Sequence, residues 1–408
     1  MPARYACDGC QAEDLDLVLD PGEVPESSRE RIEADRDPSL WRYAPLLPVP
    51  VPEDGAGPLR HAGSSPFFVA PRAAERLGLK HLWIKDDGAL PTGSLKDRAS
   101  CIVASRASAI GADKIITAST GNAGVAIAAM GGAAGIDTVV LVPETAPAGK
   151  LAQLLVFGAE LYQVRGSYDD AFKLSREAAR ELGWYCRNTA MNPFTVEGKK
   201  TVSFEICEQL TRALGRPASA PWRAPDRIYV SVGDGNIITG LHKGLKDLMA
   251  LGWIDRIPAL VGVQAEGSAA IAKAFAAGTT DVTPVEAHSV ADSIVADRPA
   301  DGRRAVLAAQ QTGGDYVVVG DDAILAALVA LGRDASVFAE PAAAAAYAGL
   351  LQHAADGAID PDSHVVVLVT GNGLKDVAAA ERAASRATPI EPTIDSLQRA
   401  IADRPRRS

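Results

Sequence analysis

Residues 227–240 read RIYVSVGDGNIITG. RIYVSV has the β-branched and aromatic content of a buried strand, and the run after the glycines reads as a helix. Between them, Gly233 and Gly235 let successive backbone N–H groups converge with no Cβ in the way. The helix that follows would add its positive end, so the turn suits an anion. A tight strand-to-helix turn that binds nothing has the same sequence, and this stretch alone leaves both readings open. The third glycine falls at position 240, too late for the G-x-G-x-x-G of a dinucleotide fold, and no G-x-x-x-x-G-K-[ST] phosphate loop occurs.

The same grammar appears twice more. TASTGNAGVAIAA (117–129) and LVTGNGLKD (368–376) also leave a strand through Gly and Asn. In open α/β sheets, ligands sit outside the carboxyl ends of the strands, so three such turns can line one crevice. Asn122 has the chemistry to hydrogen-bond a ligand oxygen, and Ser119 and Thr120 that to bind a carboxylate; Thr370 offers a hydroxyl at a strand end. Ordinary turn chemistry explains each of them singly.

Outward from these turns, strand-like runs alternate with helical ones. HLWIK (81–85), KIITAS (114–119), DTVVLV (137–142), AELYQV (159–164) and WYCRN (184–188) read as strands, with helices near 96–109, 122–134, 148–157 and 168–182. After a helix at about 195–213 the strands are 227–232, ALVGVQ (259–264), DYVVVG (315–320) and HVVVLV (364–369), and EPAAAAAYAGLLQHA (340–354) reads as a helix. The spacing predicts βα units, parallel-rich open sheets flanked by helices, and an α/β fold of two lobes with a site in the cleft between them. The expected division is an N-terminal arm (1–60) packed by Trp41 and Tyr43, a small lobe (90–190), a large lobe (61–89 and 191–380) and a C-terminal tail (381–408). The poorly patterned segment 278–304 is long enough to be a binding loop or lid.

PTGSLKDRAS (91–100) supplies a reagent for that cleft. Lys96 follows a turn and opens a helix. At its ordinary pKa of about 10.4 a lysine is a poor nucleophile, but burial or a nearby cation lowers that value enough for Schiff-base chemistry. A lysine beside a phosphate cradle is the minimum kit for pyridoxal phosphate.

Composition restricts the other options. The 408 residues are 47% hydrophobic but only 5% aromatic, and the formal charge of −10 opposes a broad nucleic-acid footprint. No run approaches the roughly 18 apolar residues of a membrane span, and the N-terminus does not read as a signal peptide; the expected location is cytoplasmic. Five cysteines make a poor disulfide framework. Cys7 and Cys10 form a C-x-x-C with no second half to complete a zinc site, so no metal is expected.

PTGSLKDR resembles the PTGSFKDR segment of the threonine synthase family, fold type II pyridoxal phosphate enzymes of the tryptophan synthase β-like class. STGNAG (119–124), VGDGNI (232–237) and VTGNGLKD (369–376) resemble that family's asparagine loop, phosphate loop and pyridine-nitrogen segment. WRYAPLLPV, KLAQLLVFGAELYQV, MNPFTVEGKKT and FAEPAAAAAYAGL extend the likeness over nearly the whole chain from about residue 40. The resemblance implies pyridoxal 5′-phosphate as cofactor, with Lys96 as the Schiff-base lysine and Asn122 on the 3′-oxygen. It also implies Gly233, Asp234, Gly235, Asn236 and Ile237 on the phosphate, and Thr370 facing the pyridine nitrogen. Ser119, Thr120, Ala123, Ser167 and Lys173 would meet a small amino-acid substrate, O-phosphohomoserine in the family, and a homodimer is implied.

Departures from the family pattern keep other substrates open. GSSPFF (63–68) stands for GGTPL, Leu90 for Asn, and SYDDAFK (167–173) for Asn-Phe-Asp-Asp-Ala-Leu-Arg. Lys173 loses the bidentate fork of arginine. Asp234 stands where Asn is frequent, and a carboxylate about 4 Å from another anion costs on the order of 4 kcal/mol at an effective dielectric of 20. VADSIVADRP (290–299) looks like a loop of threonine-synthase-like paralogues and threonine dehydratases. A β-replacement or β-elimination enzyme, such as a cysteate synthase acting on O-phosphoserine or a threonine/serine dehydratase, is therefore the alternative. A non-catalytic cofactor-binding homologue is the third reading, which the presence of Lys96 and Asn122 opposes.

Overall fold

A computed structural model describes residues 5–10, 15–53, 56–146, 148–217, 220–384 and 387–403. Parts of the expected arm (1–4, 11–14, 54–55) and tail (385–386, 404–408) therefore lie outside the described residues. The strands are β1 (Phe67–Val69), β2 (His81–Asp86), β3 (Lys114–Ala118), β4 (Asp137–Pro143), β5 (Glu160–Val164), β6 (Tyr185–Cys186), β7 (Arg227–Ser231), β8 (Ala259–Ala265), β9 (Asp315–Val319) and β10 (His364–Val369). They form a six-stranded sheet ordered β1-β2-β10-β7-β8-β9 and a four-stranded sheet ordered β5-β4-β3-β6. Every pairing is parallel except β1 with β2.

β10 lies inside the larger sheet between β2 and β7. Its unbroken VVVLV run follows from burial on both faces, since Val365, Val366, Val367, Leu368 and Val369 are all fully buried. On one face lies helix Pro341–Ala355, whose alanines 342–346 are buried. Small side chains let it sit close: a Cβ on Gly349 would meet Val263 Cγ2 at 2.4 Å.

The other face is covered by helices Phe194–Ala213 and Asn236–Ala250, which share one apolar cluster with β7 and β10. Gly240 and Gly244, one turn apart, form their seam. A Cβ at these positions would strike Lys199 Cβ at 2.6 Å and Lys200 O at 2.4 Å. Gly240 thus packs a helix rather than a nucleotide. The close approach sets Lys199 beside the Gly233–Gly235 turn.

Residues 278–304 form no strand. They lie across that turn: a Cβ on Gly233 would meet Ile294 Cα at 2.8 Å, and Asp301 N donates to Asp234 O at 2.9 Å. At the other end of the chain's path, Trp41 and Tyr43 are buried, with Trp41 Nε1 donating to Leu59 O (2.5 Å) and Tyr43 Oη to Glu208 Oε2 (2.5 Å). Cys7 and Cys10 are free thiols. No described helix is long and apolar enough to cross a membrane.

Candidate active site

The turn that presents Lys96 is sewn to the end of β10. Gly93 takes φ +79°, a left-handed conformation that favours glycine. Its carbonyl accepts Asn372 N (3.0 Å), Leu95 N donates to Thr370 O (2.9 Å), and Ser94 bridges Gly371. Asp97 folds back on the same turn, accepting Thr92 N at 2.7 Å and the Thr92 hydroxyl. Arg98, fully buried, pairs with Asp87 (2.7 Å) and Glu205 (2.6 Å), and Lys85 joins Glu205 at 2.5 Å. The two residues after Lys96 are therefore anchors.

Lys96 opens helix Lys96–Ala109, and its amine makes no hydrogen bond or ion pair among the described residues. Burial pushes its pKa down, as does the charge of Arg187, against the pull of Glu340 and Asp234. The amine lines a narrow cavity of about 50 Å³ together with Thr189, Lys199, Ser231, the turn 233–237, Glu340 and Thr370. Ser293, Glu340 and Ala342 also line a cleft of about 570 Å³ that reaches Thr120, Asn122, Gln153, Asn372 and Lys375. That cleft separates the two sheets, and Lys375 Nζ bridges it to Gln153 Oε1 at 3.0 Å.

Glu340 sits where the two cavities meet. Its carboxylate accepts Asn122 Nδ2 at 3.0 and 3.1 Å. Gly371 makes room for it, since a Cβ there would lie 2.2 Å from Oε1. Burial raises the Glu340 pKa, while the Asn122 hydrogen bond and the Lys96 charge oppose the rise. A lowered amine and a raised carboxyl thus face one cavity, the pattern of an acid–base pair.

The glycine turn has the shape of an anion cradle. Gly235, at φ +92°, precedes the 15-residue helix Asn236–Ala250. Lys199, fully buried, donates to Asn236 Oδ1, and Asn236 Nδ2 donates to Asp301 Oδ2 at 2.8 Å. Burial, then the charges of Lys96 and Arg187, push the Lys199 pKa well down. Thr370 Oγ1 lies 3.4 Å from Ser231 Oγ, so neutral hydroxyls meet at the ends of β10 and β7.

Of the residues expected from sequence, Lys96, Asn122, Gly233, Asp234, Gly235, Asn236, Ile237, Thr120 and Thr370 all line one cavity or the other. Ser119 and Ala123 flank Asn122 without lining either, and the Ser119 hydroxyl accepts Gly121 N (3.3 Å). Ser167 and Lys173 are not brought to the pocket. Ser167 caps helix Tyr168–Glu181 in a capping box with Asp170, and Lys173 is exposed on that helix. Glu340, Lys199 and Arg187 were not singled out from sequence. The first two lie within FAEPAAAAA and VEGKKT, where a lone Glu before an alanine helix and a Lys pair were the available signals.

A phosphate-bearing cofactor with a carbonyl to attach fits this donor set. The cavity is lined by the unpaired Lys96 amine, a glycine turn at a helix start and the buried Lys199, which makes no ion pair among the described residues. The sequence profile of the family described as "Pyridoxal-phosphate dependent enzyme" matches residues 59–371. The chain is 35% identical to a threonine synthase of Methanocaldococcus jannaschii over 389 residues, 95% of this chain and 93% of that one. It is 36% identical to a threonine synthase of Methanosarcina acetivorans over 399 residues, 97% and 94% of the two chains. The processed form of threonine deaminase isoform 2 from Solanum lycopersicum superposes with a TM-score of 0.67 at 20% identity, covering 83% of this chain and 96% of that one, which is a likeness of fold.

Proposed function

The chain belongs to the pyridoxal-phosphate dependent enzymes, and from that premise we propose that it is a lyase of threonine synthase type, converting O-phosphohomoserine and water to threonine and phosphate. The observation that carries this reading is the unpaired Lys96 amine beside Glu340 and the 233–237 turn, in one cavity that opens on the inter-sheet cleft.

Lys96 would attach the cofactor, the backbone of 233–237 would hold its phosphate, Asn122 its ring oxygen, and Thr370 its ring nitrogen. When bound, the ring supplies an electron sink for the pair released at the substrate Cα. A neutral hydroxyl at residue 370 leaves that nitrogen without a proton donor of carboxyl strength, which moderates the sink. The protein's own groups do the rest. Burial pushes the Lys96 amine toward its uncharged form, in which it can take a proton from Cα and return it further along the chain. Glu340, raised toward neutrality by burial and held in place by Asn122, can exchange protons with that amine or with substrate. Thr120 and the start of helix Asn122–Ala133 offer hydroxyl and N–H donors to the substrate carboxylate. Residues 290–302, folded over the glycine turn, restrict water at the cofactor end.

The two-lobe division read from the βα spacing, a cytoplasmic location and the homodimer implied by the family resemblance belong to the same proposal. A β-replacement or dehydratase activity is the second reading, favoured by the removal of Ser167 and Lys173 from the pocket. The decisive experiment supplies O-phosphohomoserine, O-phosphoserine and threonine in turn and measures phosphate, threonine and 2-oxo acid. Threonine with equimolar phosphate from the first substrate is expected. Turnover of only the other two would replace the leading reading with the second.

A further inference from the structure

The turn that would hold the cofactor phosphate carries a carboxyl of its own. Asp234 stands between Gly233 and Gly235 and lines the narrow cavity together with Lys96 and Lys199. Its side chain is open to water in that cavity and yet enclosed by protein, and burial pushes its pKa up. The carboxyl accepts a backbone N–H from Ala300, and the Asp234 carbonyl accepts Asp301 N at 2.9 Å, so the segment folded over the turn fixes it in place. Three cations act on it: Lys199 from helix Phe194–Ala213, Lys96 from helix Lys96–Ala109, and Arg187 from beyond β6. The other polar groups around it are engaged elsewhere. Asp301 is answered by Arg304 (2.5 Å) and Asn236 (2.8 Å), Glu340 by Asn122 (3.0 Å), and the Tyr168 hydroxyl by Ala118 O (3.2 Å).

Once cofactor is bound, these charges do not balance. Lys96 is taken up in attaching the cofactor, which leaves Lys199 and Arg187 as positive charges. A phosphate dianion matches those two, and an ionised Asp234 in the same turn is a further negative charge with no cation left for it. We propose that Asp234 and the cofactor's phosphate share one proton in the loaded site, so that this chain takes up a proton as it binds its cofactor. The proton comes from solvent, and whichever oxygen acid carries it, the turn loses one negative charge. The affinity for cofactor then falls as pH rises, because above about pH 6 a free phosphate ester is a dianion and brings no proton with it. This rests on the placing of the cofactor phosphate at the 233–237 turn and is independent of the substrate.

The test titrates the full chain, freed of cofactor, with pyridoxal phosphate and with pyridoxal, which has the same carbonyl and no phosphate, from about pH 6 to 9. Asp234→Asn is close to isosteric and keeps an oxygen for the Ala300 N–H. It should bind pyridoxal phosphate more tightly than wild type does. The ratio of the two Kd values should grow with pH, by up to about tenfold per unit for one linked proton, and reach roughly 10- to 100-fold. Pyridoxal should show the same Kd in both proteins, since the conflict of charge needs the phosphate. Calorimetry in buffers of different ionisation enthalpy should find about one more proton taken up by wild type than by Asp234→Asn. In wild type alone, the extra proton taken up with pyridoxal phosphate over pyridoxal reads the same linkage if the variant does not fold. Equal uptake in wild type and Asp234→Asn would overturn the proposal, because Lys199 or the phosphate alone would then be the acceptor. So would weaker binding of pyridoxal phosphate by the variant, which would make the carboxylate a holder of the cofactor. Lys199→Met checks the premise separately, and should weaken pyridoxal phosphate but not pyridoxal. If it changes neither, the phosphate lies elsewhere, and the placing of the cofactor fails together with the role of Asp234.

Discussion

Two clusters of buried charge flank Lys96, and they differ in one respect. Behind it, Arg98 and Lys85 are fully buried, and they are matched by Asp87 and Glu205 at 2.5–2.7 Å. In front of it, Arg187 and Lys199 are equally buried and touch only hydroxyls and an amide oxygen. The first cluster satisfies itself and holds the lysine-bearing helix against helix Phe194–Ala213, where a Cβ on Gly198 would meet Arg98 O at 2.1 Å. In the second, no carboxylate of the described residues makes an ion pair, and Asp234 acts on both cations only from further away. Burial of charge is therefore no sign of function in itself; the lack of a contacting counter-charge is what separates the two clusters.

The largest effect falls on the residue between the clusters. Lys96→Ala should lower turnover by roughly 10⁴-fold or more, since it removes both the attachment point and the proton carrier. Reductive trapping followed by mass spectrometry should find cofactor on the peptide containing residue 96 in wild type and none in the variant, with little change in Tm. Trapped cofactor on another lysine would break the assignment.

Glu205→Gln tests the self-satisfied cluster. Glu205 answers both Arg98 and Lys85, and although burial pushes its pKa up, these two cations outweigh burial and hold it low. Removing one partner of a buried pair costs about 3–5 kcal/mol, so the urea midpoint should fall sharply. A neutral result would mean that the network is not holding the helix.

Asp97 follows Lys96 in the chain, and its effect depends on pH. Burial raises its pKa from 3.8 to about 6, with the Thr92 hydrogen bonds opposing. The folded chain then binds more protons than the unfolded chain between about pH 4 and 6, so this group's contribution to stability declines as pH rises through that window. At 1.36 kcal/mol per unit the ceiling is about 3 kcal/mol. Unfolding midpoints of wild type and Asp97→Asn at either end of the window should differ in slope, with wild type losing more stability on going to high pH. An opposite slope would mean that Asp97 is ionised and paired.

The sheets were legible because β7 and β10 are apolar β-branched runs that lead into glycine turns, and β7, β8 and β10 each lie within a residue or so of where periodicity puts them. β1 was not foreseen: Phe67–Val69 is three residues long and exists only because β2 offers it an edge. The turns that line the two cavities were legible for the same reason as the fold, since Gly233, Gly235 and Asn122 mark sharp turns at strand ends. Arg187 carries no local signature, and Lys199 and Glu340 carry only weak ones, a Lys pair and a lone Glu before an alanine helix. Tertiary packing is what sets all three around Lys96. Ser167 shows the converse: a polar residue expected at substrate is a helix cap, because its hydroxyl and the Asp170 carboxylate satisfy one another locally.

The smallest effect is the sharpest on the comparison, because it should change sign between the clusters. Replacing a buried ionic group by an apolar side chain of similar volume is often neutral or stabilising by about 1–4 kcal/mol when the charge was poorly compensated. Lys199→Met should therefore raise the urea midpoint of the cofactor-free protein by the equivalent of about 1 kcal/mol, because Lys199 gives up one hydrogen bond to Asn236 and a costly desolvation. In Arg98→Met the same chemistry strands Asp87 and leaves Glu205 with Lys85 as its ion-pair partner, and the midpoint should drop. Cofactor should then reverse the order at residue 199. It stabilises wild type through the anion it brings, and stabilises Lys199→Met less, so the gain in midpoint on loading is the quantity to compare. If Lys199→Met destabilises the cofactor-free protein as Arg98→Met does, the second cluster is compensated after all, and the distinction between a structural and a functional group of buried charges fails.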